Sequence, residues 1–115
     1  MTRAQIQHIL QQWQAGAMDE LAVWQWGEQA RQDYREQGGG DDELTRDILD
    51  LLAALPYEML VVEDATVLLD ALANPRDETD LSVNLLWNHM DSVEVDTRRE
   101  VYAQHPFYGQ FNDAD

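Results

Sequence analysis

At 115 residues, 44% hydrophobic and carrying four Trp, four Tyr and two Phe, the chain has the size and apolar content of one domain with a packed core, expected over residues 1–111 with a frayed acidic tail at 112–115. It holds no Cys, which excludes disulfides, thiolate metal sites and Cys nucleophiles. Its formal net charge of −16 repels nucleic acid and anionic lipid headgroups and favours cationic partners.

The periodicity predicts an all-α fold, a compact orthogonal bundle of five to six short helices opening with an antiparallel helical hairpin. The first helix, over residues 2–15, carries Ile6, Ile9, Leu10 and Trp13 at i, i+3, i+4 and i+7. Gly16 suits the left-handed residue beyond a helix end, Asp19 is an N-cap, and Met18 with Val23 forms a hydrophobic staple. The second helix covers residues 20–37, with Val23, Trp26, Gly27, Ala30 and Tyr34 on one face and Trp24 about 100° round from Val23. Gly27 in its middle points to close approach of a neighbouring helix. Gly38-Gly39-Gly40 ends it.

Asp41 or Asp42 caps the third helix, whose stripe is Leu44, Ile48, Leu51, Leu52 and Leu55 and which Pro56 stops. Residues 57–62 have strand-like members but no partner strand, so they are expected as a loop or helical turn. A fourth helix follows over residues 63–73. In the fifth, residues 80–92, Val83, Leu86, Trp87 and Met90 form an inward stripe while Leu81 and Leu85 lie opposite. Such a helix is either central in the bundle or half-covered by a partner. Thr97 opens a short sixth helix before His105-Pro106. The segment Phe107-Tyr108-Gly109-Gln110-Phe111 is expected to close over the bundle as a lid, or to form an apolar contact patch.

Few chemistries find their residues. His8, His89 and His105 stand apart, without His-x-x-x-His or Glu-x-x-His spacing, and Asp91, Glu94 and Asp96 lack the pattern of a calcium loop, so neither metal nor cofactor is expected. No nucleophile elbow, P-loop or dinucleotide fingerprint is present, and exposed carboxylates stay ionised and inert. The chain therefore reads as no enzyme. His89 and His105 are taken as helix-end or packing residues, and Arg98 and Arg99 as local partners of Glu94, Asp96 and Glu100. With no apolar run approaching the length of a membrane span and no apolar signal core, cytoplasmic residence is expected. Its basic residues are all Arg, which with abundant Ala and Leu suggests a GC-rich bacterial genome.

The placement of charge is more informative. Residues 41–96 carry fifteen acids against two bases, Arg46 and Arg76. Acid density of this kind beside aromatic anchors is the anatomy of an interface for a basic protein. The residues expected to carry it are Trp24, Asp41, Asp42, Asp47, Asp50, Phe107, Tyr108 and Phe111, with Asp47 and Asp50 on the outer face of the third helix. In size, acidity and helicity the chain resembles immunity proteins that neutralise nuclease toxins, a likeness of style carried by no motif, which implies a small inhibitor of a basic partner. The alternative is a structural or regulatory protein, monomer or homodimer, that self-associates through its fifth helix.

Overall fold

Three prolines and several polar turns break the chain into short amphipathic pieces, and the computed structural model, which describes residues 3–37 and 42–111, consists of those pieces packed together. The α-helices are α1 (Arg3–Gln14), α2 (Glu20–Glu36), α3 (Glu43–Ala53), α4 (Ala65–Ala73), α5 (Thr79–Asp91) and α6 (Val95–Val101), with 3-10 turns at Val62–Asp64, Arg76–Glu78 and Tyr108–Phe111. Among the described residues there is no strand, and residues 57–61 form the turn expected of them. The Gly38–Gly40 break, Asp41 and the 112–115 tail lie outside the described residues.

Local signals act where the chemistry places them. Gly16 sits at φ +78°, in the left-handed region that a side chain rarely adopts. The Asp19 side chain accepts the Ala22 backbone N–H at 2.9 Å, satisfying one orphan donor at the start of α2. The sixth helix starts earlier than expected. Glu94 occupies its cap position, and the Thr97 hydroxyl donates to the Glu94 carboxylate at 3.2 Å from inside the first turn.

The core is organised around α3, which buries Leu44, Thr45, Asp47, Ile48, Leu49, Leu51 and Leu52. A helix buried on nearly every side is the centre of its bundle. Packed on it are Val23 and Ala30 of α2, and further into the same core lie Ile6, Leu10 and Trp13 of α1 and Leu68, Ala71 and Leu72 of α4. The fifth helix is not central. It buries only Ser82 and Leu86, and Trp87, expected inside, is 37% exposed. Nor does a tight α1–α2 pair organise the bundle, since α1 packs chiefly on α4 and α2 on α3. A cleft of about 350 Å³, lined by Ala4, Gln5, His8, Ile9 and Trp26, separates the first two helices. Trp26 is thus half-buried on the cleft wall instead of sunk in the core.

Gly27 explains why α2 lies so close to α3. A Cβ there would stand 2.7 Å from the Leu52 Cβ and 2.9 Å from its carbonyl carbon, inside any real contact. Replacing a helical Gly with Ala gains about 1 kcal/mol in propensity, whereas overpacking against backbone costs about 1–3 kcal/mol. The second effect should win. Gly27→Ala is therefore expected to lower stability by about 1 kcal/mol in urea denaturation; an Ala variant more stable than the parent would mean that the α2–α3 contact yields freely.

Candidate functional site

The contact residues singled out by sequence fall into two groups, and the fold adds a third centre. The first is aromatic. Trp24 donates its indole N–H to the Ala53 carbonyl at 2.8 Å. Its ring meets Tyr57, Phe107 and Phe111 edge-on at centroid distances of 6.1, 5.7 and 5.3 Å. Phe107 and Tyr108 are buried, and the Tyr108 hydroxyl donates to the Leu60 carbonyl. Burial pushes the Tyr108 hydroxyl far above its ordinary pKa. His105 fixes this segment: its Nδ1 accepts the backbone N–H groups of Phe107 and Tyr108 at 3.1 and 3.3 Å, and its Nε2 lies 3.5 Å from Glu20. The C-terminal aromatics therefore form a lid over Trp24, with Phe107 and Tyr108 buried, Trp24 and Phe111 half-buried and Tyr57 exposed at the edge of the cluster.

The second group is the carboxylates of α3, and here expectation and structure differ. Asp42 accepts from Arg3 Nε at 2.7 Å, from Arg3 Nη2 at 2.9 Å and from the Thr45 hydroxyl at 2.6 Å. Arg3 also donates to the Asn74 carbonyl at 3.0 Å, so one guanidinium joins the starts of α1 and α3 to the end of α4. The Arg3 guanidinium bonded to Asp42 outweighs burial and holds this carboxyl at a pKa of about 2. Asp47 is not on the outer face. It is buried, and it accepts the Trp87 indole N–H at 3.0 Å, because α5 lies across that side of α3. Asp50 is half-exposed and paired with Arg31 of α2 at 2.8 Å. Asp41 lies outside the described residues.

A third centre is visible only in three dimensions. The Asp64 carboxylate, 1% exposed, accepts from Arg98 Nη1 at 2.6 Å, Arg98 Nη2 at 3.0 Å and the Val61 backbone N–H at 2.9 Å, with His89 Nε2 at 2.8 Å. Arg98 further donates to the Met59 carbonyl at 3.0 Å, across a turn in which Met59 adopts a left-handed φ of 51°. Burial alone would raise the Asp64 pKa, but Arg98, the Val61 N–H and His89 together hold it below the ordinary carboxylate range. Arg98 is therefore no local partner of Glu94 or Asp96; it reaches back 34 residues. The Asp64 carboxylate is thus surrounded by polar partners from the turn before α4, from α5 and from α6, and the cluster holds these elements together. Among the described residues no three His, Asp or Glu side chains converge as metal ligands, and no helix is long and apolar enough to cross a membrane.

Exposed carboxylates are spread over the described surface, among them Glu28 and Glu36 of α2 and Glu94, Asp96 and Glu100 at α6, and they continue over α4, α5 and their connection. Asp70, Asp77, Glu78, Asp80 and Asp91 are exposed, and among the described residues none of them forms an ion pair. Leu81 and Leu85 stand beside them at 57% and 40% exposure. No known protein family matches the chain, and comparison with curated proteins and with solved structures finds no relative.

The two depressed carboxyls set a pH dependence. Unfolded Asp titrates near pH 3.9, so the stabilisation from Asp42 is present above about pH 4 and lost as pH falls towards about 2. Asp64 contributes with the same sign. Arg98→Met, which leaves the Asp64 charge buried without its guanidinium, should cost about 3 kcal/mol at neutral pH and flatten the acid limb. Stability measured by urea denaturation across that range checks both; parallel wild-type and variant curves would separate Asp64 from Arg98.

Proposed function

We propose that this chain is a non-catalytic protein-binding module that holds a basic protein partner, in the manner of a small inhibitor or immunity-type protein. The observation that carries the proposal is the group of exposed, uncompensated carboxylates Asp70, Asp77, Glu78, Asp80 and Asp91. The chain has seven Arg, and Arg3 and Arg98 are committed to buried Asp42 and Asp64 while Arg31 is paired with Asp50. Little positive charge is left to neutralise the outer surface. A field of one sign speeds encounter with an oppositely charged protein and turns away nucleic acid and equally acidic proteins. The absence of catalysis is part of the proposal because the two best-defined polar clusters, around Asp42 and Asp64, have their donors and acceptors occupied by the protein itself.

The alternative, self-association through α5, is less well supported. A two-fold axis along α5 would bring Asp77, Glu78, Asp80 and Asp91 of both copies together, and like charges facing one another across an interface cost several kcal/mol.

The test uses a partner isolated from native extract at low salt and then purified. Its association rate is expected to fall steeply as salt is raised, because screening shortens the reach of exposed charges to about 8 Å at physiological ionic strength. Neutralising Asp77 and Asp80 to Asn should slow association at low salt and flatten that dependence. Asp47→Asn should act on stability alone, since Asp47 is bonded to Trp87 inside the protein. An association rate indifferent to salt and to Asp77 and Asp80 would remove electrostatic capture as the basis of function.

A further inference from the structure

We infer that the contact surface for the basic partner is the exposed side of α5, with the Leu81–Leu85 ridge as its apolar part and Asp80 and Asp91, together with Asp77 and Glu78 of the preceding turn, as its charged part. This rests on the proposed reading of a cationic partner and adds the place and the anchor. Trp24 and the 107–111 segment are the other candidate anchor, but Phe107 and Tyr108 are buried, the rings pack on one another, and Trp24 has its N–H bonded within the protein.

The face follows from helix geometry. Residues advance by about 100° each. Ser82 and Leu86 are buried, and the buried Ser82 hydroxyl is bonded to the Asn74 side chain at 3.1 Å, which fixes the inner side of α5. Leu81 and Leu85, at i and i+4, make one ridge on its flank. Asn84 and Asn88 lie in the adjoining exposed arc, and Asp80 and Asp91 lie beyond them. Trp87 closes the far edge with its N–H held by Asp47. Apolar residues scattered singly over a surface need no explanation. Two leucines on one ridge, with amides next to them and carboxylates further round the exposed side of the helix, form an apolar strip bordered by acid on its solvent side. A segment presenting two apolar side chains flanked by Lys or Arg matches it in both respects, and the charge of that border turns away a second copy of this chain.

The inference is tested with the whole protein and three synthetic helical peptides of equal length, composed of Lys and Leu, Lys and Gln, and Glu and Leu. The Lys/Leu peptide is expected to bind, with amide chemical-shift changes centred on residues 79–91. Leu81→Gln with Leu85→Gln should weaken it roughly tenfold or more, with helicity unchanged because both side chains are exposed. Leu21→Gln, a similarly exposed Leu on α2, should leave it unaltered. Equal binding of the Lys/Leu and Lys/Gln peptides, untouched by the α5 substitutions, would overturn the α5 anchor while keeping the cationic partner. Failure of both Lys peptides would overturn the cationic partner as well. Binding of the Glu/Leu peptide as strong as that of Lys/Leu, or a dimer in sedimentation that Leu81→Gln and Leu85→Gln dissolve, would assign α5 to self-association.

Discussion

The salt bridge between Arg98 and Asp64 is the constraint on which the C-terminal half of the molecule depends. Asp64 closes the turn before α4, Arg98 belongs to α6, and His89 comes from the end of α5. A carboxylate buried to this degree is strongly unfavourable unless donors surround it. The same requirement dictates geometry: α6 must lie where its guanidinium reaches both the carboxylate and the Met59 carbonyl. With α6 so placed, the chain leaving it brings His105, Phe107 and Tyr108 back over the bundle, and Tyr108 reaches the Leu60 carbonyl. Arg3 and Asp42 do the equivalent task at the other end, joining the first turn of α1 to the start of α3.

A chain of net charge −16 with seven Arg cannot both neutralise buried carboxylates and balance its exterior. The internal need is the stronger, because an unpaired charge in the interior costs several kcal/mol whereas exposed like charges are screened by solvent and salt. The exterior is acidic because the chain has sixteen more acids than Arg, an excess that the internal pairs leave unchanged. Enclosure of Trp24 beneath the 107–111 segment, and the position of α5 at the rim of the bundle, then leave Leu81 and Leu85 as an apolar strip within that acidic surface. An interaction surface of this kind is set by what the core does not require.

The elements themselves were legible in the sequence. Helix stops at Gly16, Pro56 and Pro75, the Asp19 cap, the close approach at Gly27 and the stripe of α3 depend on contacts within a few residues or on the absence of a Cβ, and they are written into the chain. The charge asymmetry of residues 41–96 was likewise a matter of counting. The two-sided apolar character of α5 was legible too, although not which of its two explanations applied.

The surroundings of the candidate residues depend on tertiary structure. The apolar stripe of α3 alone puts Asp47 outward, yet α5 covers the opposite side as well, and Asp47 is buried against Trp87. Arg98 was paired with neighbours in sequence, but a long side chain reaches whichever carboxylate the fold brings near, and burial makes the distant Asp64 the one that needs it. Trp87 and Trp26 lie on helical stripes like true core residues and are half-exposed because a stripe states only that a side is apolar, not how much of it a neighbour covers. Where helices begin and end, and how acidic their surface must be, follow from local backbone chemistry and composition and need no tertiary contact. Which carboxylates are consumed inside, which aromatic rings are closed over, and which face of α5 remains open depend on side chains tens of residues apart, and only their packing could decide them.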